Sequence, residues 1–183
     1  MSKFWKRKDL KLNLKRRIFN TTVRSILLYG CETWTTRVSD LSRLEVFERR
    51  CLRYIACLPY KQPIKNHALV DLFKNQPSIA ETVAKRRWTY VGHVLRMDEH
   101  RLPKQSFKST PEAEWKRPRG GVKTTLQRQM SKEAEQFIIP LGVSRKKYES
   151  SWRHHLEDLA KDRNQYKEMV NLVSASNAAP RRR

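Results

Sequence analysis

Cysteine, glycine and acidic residues are all scarce in this 183-residue sequence. The three cysteines are an odd number without a close pair, which argues against a disulfide framework and favours a reducing compartment. No segment reaches the ~18 consecutive apolar residues of a membrane span, and the first residues lack the apolar stretch of a signal peptide. We therefore expect an intracellular protein, nuclear or cytoplasmic, that does not bind a membrane.

Patterns typical of catalysis and of cofactor binding are also missing. The adjacent Gly120-Gly121 does not belong to a G-x-x-x-x-G-K phosphate loop, and the sequence has no Gly-x-Ser-x-Gly nucleophile elbow. Two-metal polymerase chemistry needs converging carboxylates, but the acidic pairs Asp98-Glu99 and Glu157-Asp158 have no evident third partner. The cysteines and His67 lack the closely spaced pair of a structural zinc site. We expect no enzymatic activity, no metal and no cofactor.

Positive charge dominates the residues that are present. The sequence has 40 Lys and Arg against 18 Asp and Glu, a formal net charge of +22. Residues 1–30 hold nine basic residues and one acidic residue, residues 85–128 hold twelve and four, and the sequence ends in Arg181-Arg182-Arg183. Residues 31–84, with eight and six, and residues 129–173, with eight and seven, are nearly balanced. Concentrated blocks of one charge typically face a polyanion.

Hydrophobic periodicity predicts an all-α protein. Apolar residues recur at helical spacing, and strand patterns are scarce. We expect a small bundle of about six helices, with one helical segment at residues 1–76 and a basic helical module at residues 77–173. Prolines and glycines predict an extended basic loop at residues 101–121. Residues 174–183 are expected to form a disordered basic tail.

Two predicted helices matter for function. Ser39 or Asp40 can cap a helix that continues to about Cys57, and a projection at about 100° per residue places Phe47 and Tyr54 in its apolar arc. A second helix begins at the capping-box pattern Ser78-x-x-Glu81 and runs to about Met97.

Side chains on the second of these helices divide into two faces. Trp88 and Tyr90 fall on or beside the apolar side, where packing in the core is the simpler interpretation. Arg87 borders this side, and Arg163 lies on the apolar stripe of the last helix. Each is expected either to extend its charged end to solvent or to pair with a carboxylate, and pairing is the favoured interpretation for both. The opposite arc is basic and consists of Lys85, Arg86, His93 and Arg96.

Basic and aromatic residues alternate between Lys85 and Arg128. This mixture suits contacts to phosphates together with stacking on unpaired bases, and glycine permits close approach to a backbone. Solvated arginines that bind nothing are the alternative, but their density exceeds what solubility requires. The candidate nucleic-acid-binding residues are Lys85, Arg86, His93, Arg96, Arg101, Lys104, Arg117, Arg119, Gly120, Gly121, Lys123 and Arg128.

Three strings in the sequence carry a resemblance to a known family. They are Tyr29-Gly-Cys-Glu-Thr-Trp34, the central motif Arg87-Trp88-x-x-Val91-Gly-His-Val-Leu-Arg-Met97 with Arg101-x-Pro103, and the loop Arg117-Pro-Arg-Gly-Gly121. Together they resemble the C-terminal region of non-LTR retrotransposon reverse transcriptases, in particular RTE-like elements, over about residues 12–173. The Gly-His-Val-x-Arg-Met string is more specific than the Arg/Gly loop.

The resemblance implies the thumb, at residues 1–76, and the C-terminal extension, which contact template RNA and target DNA during target-primed reverse transcription. In the central motif it matches Trp88, Gly92, His93, Arg96 and Arg101, and in the loop it matches Arg119, Gly120 and Gly121. The Tyr-x-Asp-Asp carboxylates of the palm and the endonuclease domain have no counterpart in this sequence.

The leading hypothesis from the sequence is therefore an RNA- or DNA-binding fragment of a reverse transcriptase that lacks the catalytic palm. Its partners would be RNA, DNA or both, and the rest of a reverse transcriptase polyprotein. The alternative is a basic helical module that docks an acidic partner protein.

Overall fold

A computed structural model describes residues 2–7, 9–58, 64–73, 76–109, 119–120, 125–138 and 145–178. Every regular element among these residues is a helix, which confirms the all-α prediction. In chain order the helices are α1 (Ser2–Trp5), α2 (Leu12–Phe19), α3 (Ser25–Leu27), α4 (Val38–Ile55), α5 (Asn66–Leu72), α6 (Ile79–Leu95), α7 (Leu102–Lys108), α8 (Leu126–Ile138), α9 (Arg145–Lys161) and α10 (Arg163–Ala178).

Eight of these helices have seven or more residues, whereas about six were predicted. One additional helix is α7. Another arises because the last helical region is divided at Asp162, whose carboxylate accepts hydrogen bonds from the backbone N–H groups of Asn164 and Gln165 and so caps α10.

Helix α7 corrects the predicted extended loop at residues 101–121. Pro103 lies in the first turn of α7, where a helix tolerates proline because no N–H donor is needed there. The loop prediction is therefore wrong for residues 102–108. Of the remainder, residues 110–118 and 121 lie outside the described residues.

The predicted disordered tail is also wrong for its first part. Helix α10 continues to Ala178, and Val173 and Ser174 are buried. Ser174 lies four residues after the buried Val170 on the same side of the helix, and its hydroxyl donates a hydrogen bond of 2.9 Å to the Asn171 carbonyl. Residues 179–183 lie outside the described residues.

The chain divides into two compact units. Unit 1 comprises the described residues of Met1–Cys31 and Thr36–Thr82, and unit 2 those of Glu32–Thr35 and Val83–Arg183. The sequence placed this boundary between residues 76 and 77. It lies further along the chain because Arg24 in unit 1 donates hydrogen bonds to the Pro77 carbonyl and, at 3.0 Å, to the Thr82 hydroxyl.

Unit 1 has a hydrophobic core with a buried polar network beside it. The core includes Trp5, Phe19 and Leu69. The chain runs from α2 into α3 through a π-helical turn that ends at Arg24, whose Nε lies 3.0 Å from Glu48 Oε1. Gln76 donates to the same oxygen at 2.9 Å. Burial raises the pKa of Glu48, and the neighbouring Arg24 and Gln76 only partly oppose this. The hydrophobic core of unit 1 also contains Leu52, Ile55 and Phe73.

The hydrophobic core of unit 2 is formed by buried residues of α6, α8, α9 and α10. Gly92 allows a close approach of Tyr166 on α10, because a Cβ at this position would overlap the Tyr166 ring. The Tyr166 hydroxyl donates a hydrogen bond of 2.9 Å to the Trp88 carbonyl, and burial raises the pKa of Tyr166. Glycine in the central motif is thus required for packing.

A buried ion pair connects three segments of unit 2. Arg87 Nη1 lies 2.8 Å from Glu133 Oε1 on α8, and the other carboxylate oxygen accepts from Trp88 Nε1 at 2.8 Å. Arg87 also donates to the Trp34 carbonyl at 2.9 Å, which ties residues 32–35 to this unit. The predicted carboxylate partner of Arg87 is confirmed. For Arg163 the favoured alternative, pairing with a carboxylate, is wrong, because this residue is exposed and pairs with no carboxylate among the described residues.

Candidate nucleic-acid interface

One face of α6 is exposed and basic from Lys85 onward, and the acidic residue of this helix, Glu81, lies one turn before Lys85. Lys85, Thr89, His93 and Arg96 are exposed on it, and Arg86 is half-buried. Residues three or four apart lie on the same side of a helix, so these side chains form one stripe. The sequence from residue 85 to 97 contains no Asp or Glu. We call these residues, together with Tyr90, the α6 face.

Tyr90 belongs to this face and not to the core. Its exposed fraction is 42%, whereas Trp88 is fully buried as predicted. The core placement of Tyr90 is therefore wrong. Its position three residues before His93 and four after Arg86 is the signal that could have placed it on the basic side. Its phenol ring is available for stacking.

Arg96 is exposed but tethered at the end of the α6 face. Its Nη1 donates a hydrogen bond of 3.4 Å to the carbonyl of Ala160, near the end of α9. Its guanidinium carbon lies 5.8 Å from the ring centroid of Tyr166. A cation is favourable at the C-terminal end of a helix, and an aromatic ring attracts it further. Within the described part of the chain, the other guanidinium N–H groups of Arg96 donate no further hydrogen bond.

Lys104 does not contribute to the interface, which corrects its assignment. It is buried; its ammonium lies 2.9 Å from Glu99 Oε1 and donates to the Met97 carbonyl at 2.8 Å. Lys108 bridges Glu99 and Glu157, each at 2.9 Å. Hydrogen bonds from the two lysines lower the pKa of Glu99 to about 2. These ammonium groups bind within the fold and are not presented to a ligand.

The other predicted residues lie on separate elements. Arg101 precedes α7, Arg128 lies in the first turn of α8, and both are exposed. Arg119 and Gly120 are exposed in a turn, where the φ of +79° at Gly120 favours glycine. The structure groups Lys85, Arg86, His93 and Arg96 on one helix face. The predicted residues that lie outside the described part of the chain are Arg117, Gly121 and Lys123.

The chemistry that the α6 face offers is recognition of an anion. Ammonium, guanidinium and imidazole N–H groups can contact phosphate oxygens, and Tyr90 can stack on a base. Among the described residues, no three His, Cys, Asp or Glu side chains are grouped so that they could hold a metal ion. No helix in the described ranges is long and apolar enough to cross a membrane. Compared with known protein families, curated proteins and solved structures, the chain has no match.

Proposed function

We propose that the chain is a nucleic-acid-binding module, the C-terminal part of a non-LTR retrotransposon reverse transcriptase without its catalytic palm. The α6 face carries this proposal, because it places cations and one exposed aromatic ring together with no carboxylate between them. The lineage is supported by the sequence strings, in which Gly92 and Arg87 serve packing while His93 and Arg96 remain at the surface. The module carries out no catalytic step by itself.

Binding on this face would begin with the phosphates. Lys85, His93 and Arg96 contact phosphate oxygens and release counterions, which makes affinity fall steeply with salt. Tyr90 then stacks on an unpaired base. Arg86, which has contacts within the fold, borders the same stripe. Both RNA and DNA provide these phosphates and bases.

Fluorescence anisotropy with labelled 20-nucleotide RNA, DNA and duplex DNA tests the proposal. We expect the Lys85→Gln/Tyr90→Ala variant to lose at least about tenfold in affinity for single strands. The matched control is Lys167→Gln/Leu172→Ala, which also removes one exposed lysine and one exposed apolar side chain from unit 2. Equal losses in the two variants would contradict the assignment to the α6 face.

Polyglutamate of the same total charge is the control ligand for the alternative function. We expect it to bind much more weakly than RNA, because a carboxylate chain offers no base to Tyr90. Equal binding of polyglutamate and RNA, or binding to RNA that ignores salt between about 50 and 200 mM, would favour an acidic partner protein instead.

The retrotransposon lineage has a separate test in the surrounding genomic DNA. We expect a reverse transcriptase palm to be encoded just upstream in the same orientation. Flanking sequence without any trace of a palm would contradict the lineage but would leave the binding proposal standing.

A further inference from the structure

A second basic and aromatic face lies on α4 in unit 1. Arg43, Phe47, Arg50 and Tyr54 are all exposed there, with an exposed fraction of 45% for each of the two aromatic residues. Their spacings of four, three and four residues place them within an arc of about 60°. We call these four residues the α4 face. The sequence projection assigned Phe47 and Tyr54 to the apolar side, and the structure shows that they point outward.

The carboxylates of α4 do not neutralise this face. Asp40 accepts a hydrogen bond of 3.2 Å from the Arg37 backbone at the start of the helix, and Glu45 pairs with Arg49 at 3.4 Å. Glu48 is buried beside Arg24. Each acidic side chain of the helix therefore has another partner.

The two arginines of the α4 face have no such partner. Within the described residues, neither the Arg43 nor the Arg50 guanidinium pairs with a carboxylate or donates a hydrogen bond. A helix with three acidic and four basic residues thus presents two uncompensated cations and two aromatic rings on one side.

We infer that the α4 face binds the unpaired bases of a single-stranded nucleic acid, an inference that rests on the proposed nucleic-acid binding and adds the class of ligand. Phe47 and Tyr54 are separated by about 10 Å along the helix axis, at about 1.5 Å per residue. Two rings at this separation can stack on two different bases, while Arg43 and Arg50 reach the phosphates between and beside them.

Charge and ring exposure together favour this ligand over the alternatives. A base pair within a duplex stacks on its neighbours and offers no free face to a phenyl ring, so a duplex would use only the arginines. A second copy of this basic chain would bring like charges together at Arg43 and Arg50, which costs free energy. A single strand offers unpaired bases to the two rings and phosphates to the two arginines.

The test compares labelled oligouridine of 20 nucleotides with a 20-base-pair duplex, using the full chain. We expect Phe47→Ala/Tyr54→Ala to weaken single-strand binding at least about tenfold, because each stacked base contributes. Duplex binding should change little. The variant Phe47→Tyr/Tyr54→Phe keeps both rings and should bind oligouridine like the parent chain. A loss of affinity in this ring-preserving variant would overturn the stacking mechanism.

Two further variants separate charge from stacking and this face from other exposed apolar residues. Arg43→Gln/Arg50→Gln should weaken both ligands and reduce the slope of log affinity against log salt by about 1.5. Ile26→Ala/Tyr29→Ala removes two exposed apolar residues from unit 1 outside α4 and should leave binding unchanged. Circular dichroism and the melting temperature confirm that each variant is folded before binding is compared.

The outcomes distinguish this inference from the proposed function. If Lys85→Gln/Tyr90→Ala weakens oligouridine binding and Phe47→Ala/Tyr54→Ala does not, the α4 inference is overturned and the α6 proposal stands. The opposite result supports the α4 face and contradicts the α6 face. A parent chain that binds no nucleic acid overturns both. A dimer in sedimentation that Phe47→Ala/Tyr54→Ala dissociates, with RNA binding unchanged, would make the α4 face an interface between copies.

Discussion

The two units share two features, a buried arginine–glutamate pair and an exposed basic face on one helix. Each buries one arginine against one glutamate, Arg24 with Glu48 in unit 1 and Arg87 with Glu133 in unit 2. Each also presents a helix face with cations, accompanied by two exposed aromatic rings on the α4 face and one on the α6 face. The units differ in how their exposed charge arises, and this difference shows why counting charges along a sequence does not locate a basic surface.

Residues 31–84 are nearly balanced in charge, and residues 85–128 carry a large excess. In unit 1 each acidic side chain of α4 has a partner within the unit, and two of the four arginines of this helix, Arg43 and Arg50, remain exposed. In unit 2 three basic side chains, Arg87, Lys104 and Lys108, bind carboxylates of the same unit and do not add to its exposed positive charge. The charge of each surface is therefore set by the basic side chains that have no carboxylate partner within the fold.

Removing the glutamate of each buried pair should have the largest effect on the free energy of unfolding and tests whether the two pairs are equivalent. We expect Glu133→Gln to destabilise the protein by about 3–5 kcal/mol, because Arg87 is left charged and buried. Glu48→Gln should cost less, about 1–3 kcal/mol, since Arg24 keeps its bonds to Pro77 and Thr82 and the buried carboxylate is itself unfavourable. Urea denaturation measures both values.

The exposed Lys132→Gln on α8 is the control for these two variants and should leave the stability unchanged. A greater loss of stability in Glu48→Gln than in Glu133→Gln would show that the two pairs are not ranked by the burial of their arginines.

Replacing Gly92 by alanine should have the next largest effect on the stability of the protein. Alanine usually stabilises a helix interior relative to glycine by roughly 0.5–1 kcal/mol. Here we expect the opposite sign, a loss of about 1–3 kcal/mol, because the added Cβ overlaps the Tyr166 ring. In a Tyr166→Leu background the same substitution should cost much less, which a double-mutant cycle measures. A stabilised Gly92→Ala would disprove the packing role of this motif residue.

The sequence predicted the helical class and the basic side of α6, since both depend on local periodicity. It misplaced Tyr90, Phe47 and Tyr54, because an aromatic residue at the edge of a helical arc can turn toward the core or toward solvent, and only tertiary packing decides. Lys104 was misassigned for a similar reason. Its carboxylate partner, Glu99, lies in a neighbouring turn, and nothing in the local pattern shows which lysine it binds.

Lys85 and Lys104 allow a direct test of internal against exposed charge. We expect Lys85→Gln to lower RNA affinity, reducing the salt slope by about 0.7, with an unchanged melting temperature. Lys104→Gln should lower the melting temperature and leave the affinity of the folded protein unchanged, because its ammonium binds Glu99 and the Met97 carbonyl. Anisotropy and thermal denaturation of both variants check this. If Lys104→Gln lowered the RNA affinity and Lys85→Gln lowered the melting temperature, the assignment of the two lysines would be reversed.

The smallest effect concerns pH, and the two units should respond with opposite sign. Folding lowers the pKa of Glu99 in unit 2 from 4.5 to about 2, so its contribution to stability is complete above 4.5 and disappears as the pH falls towards 2. Folding raises the pKa of Glu48 in unit 1, so its contribution is complete below 4.5 and is lost as the pH rises through the raised value. Glu99→Gln should therefore flatten the acid limb of the melting-temperature profile, whereas Glu48→Gln should flatten the limb above pH 4.5. If both variants changed the melting-temperature profile on the same side of pH 4.5, this would contradict the different causes of the two pKa shifts, which are hydrogen bonds from Lys104 and Lys108 at Glu99 and burial at Glu48.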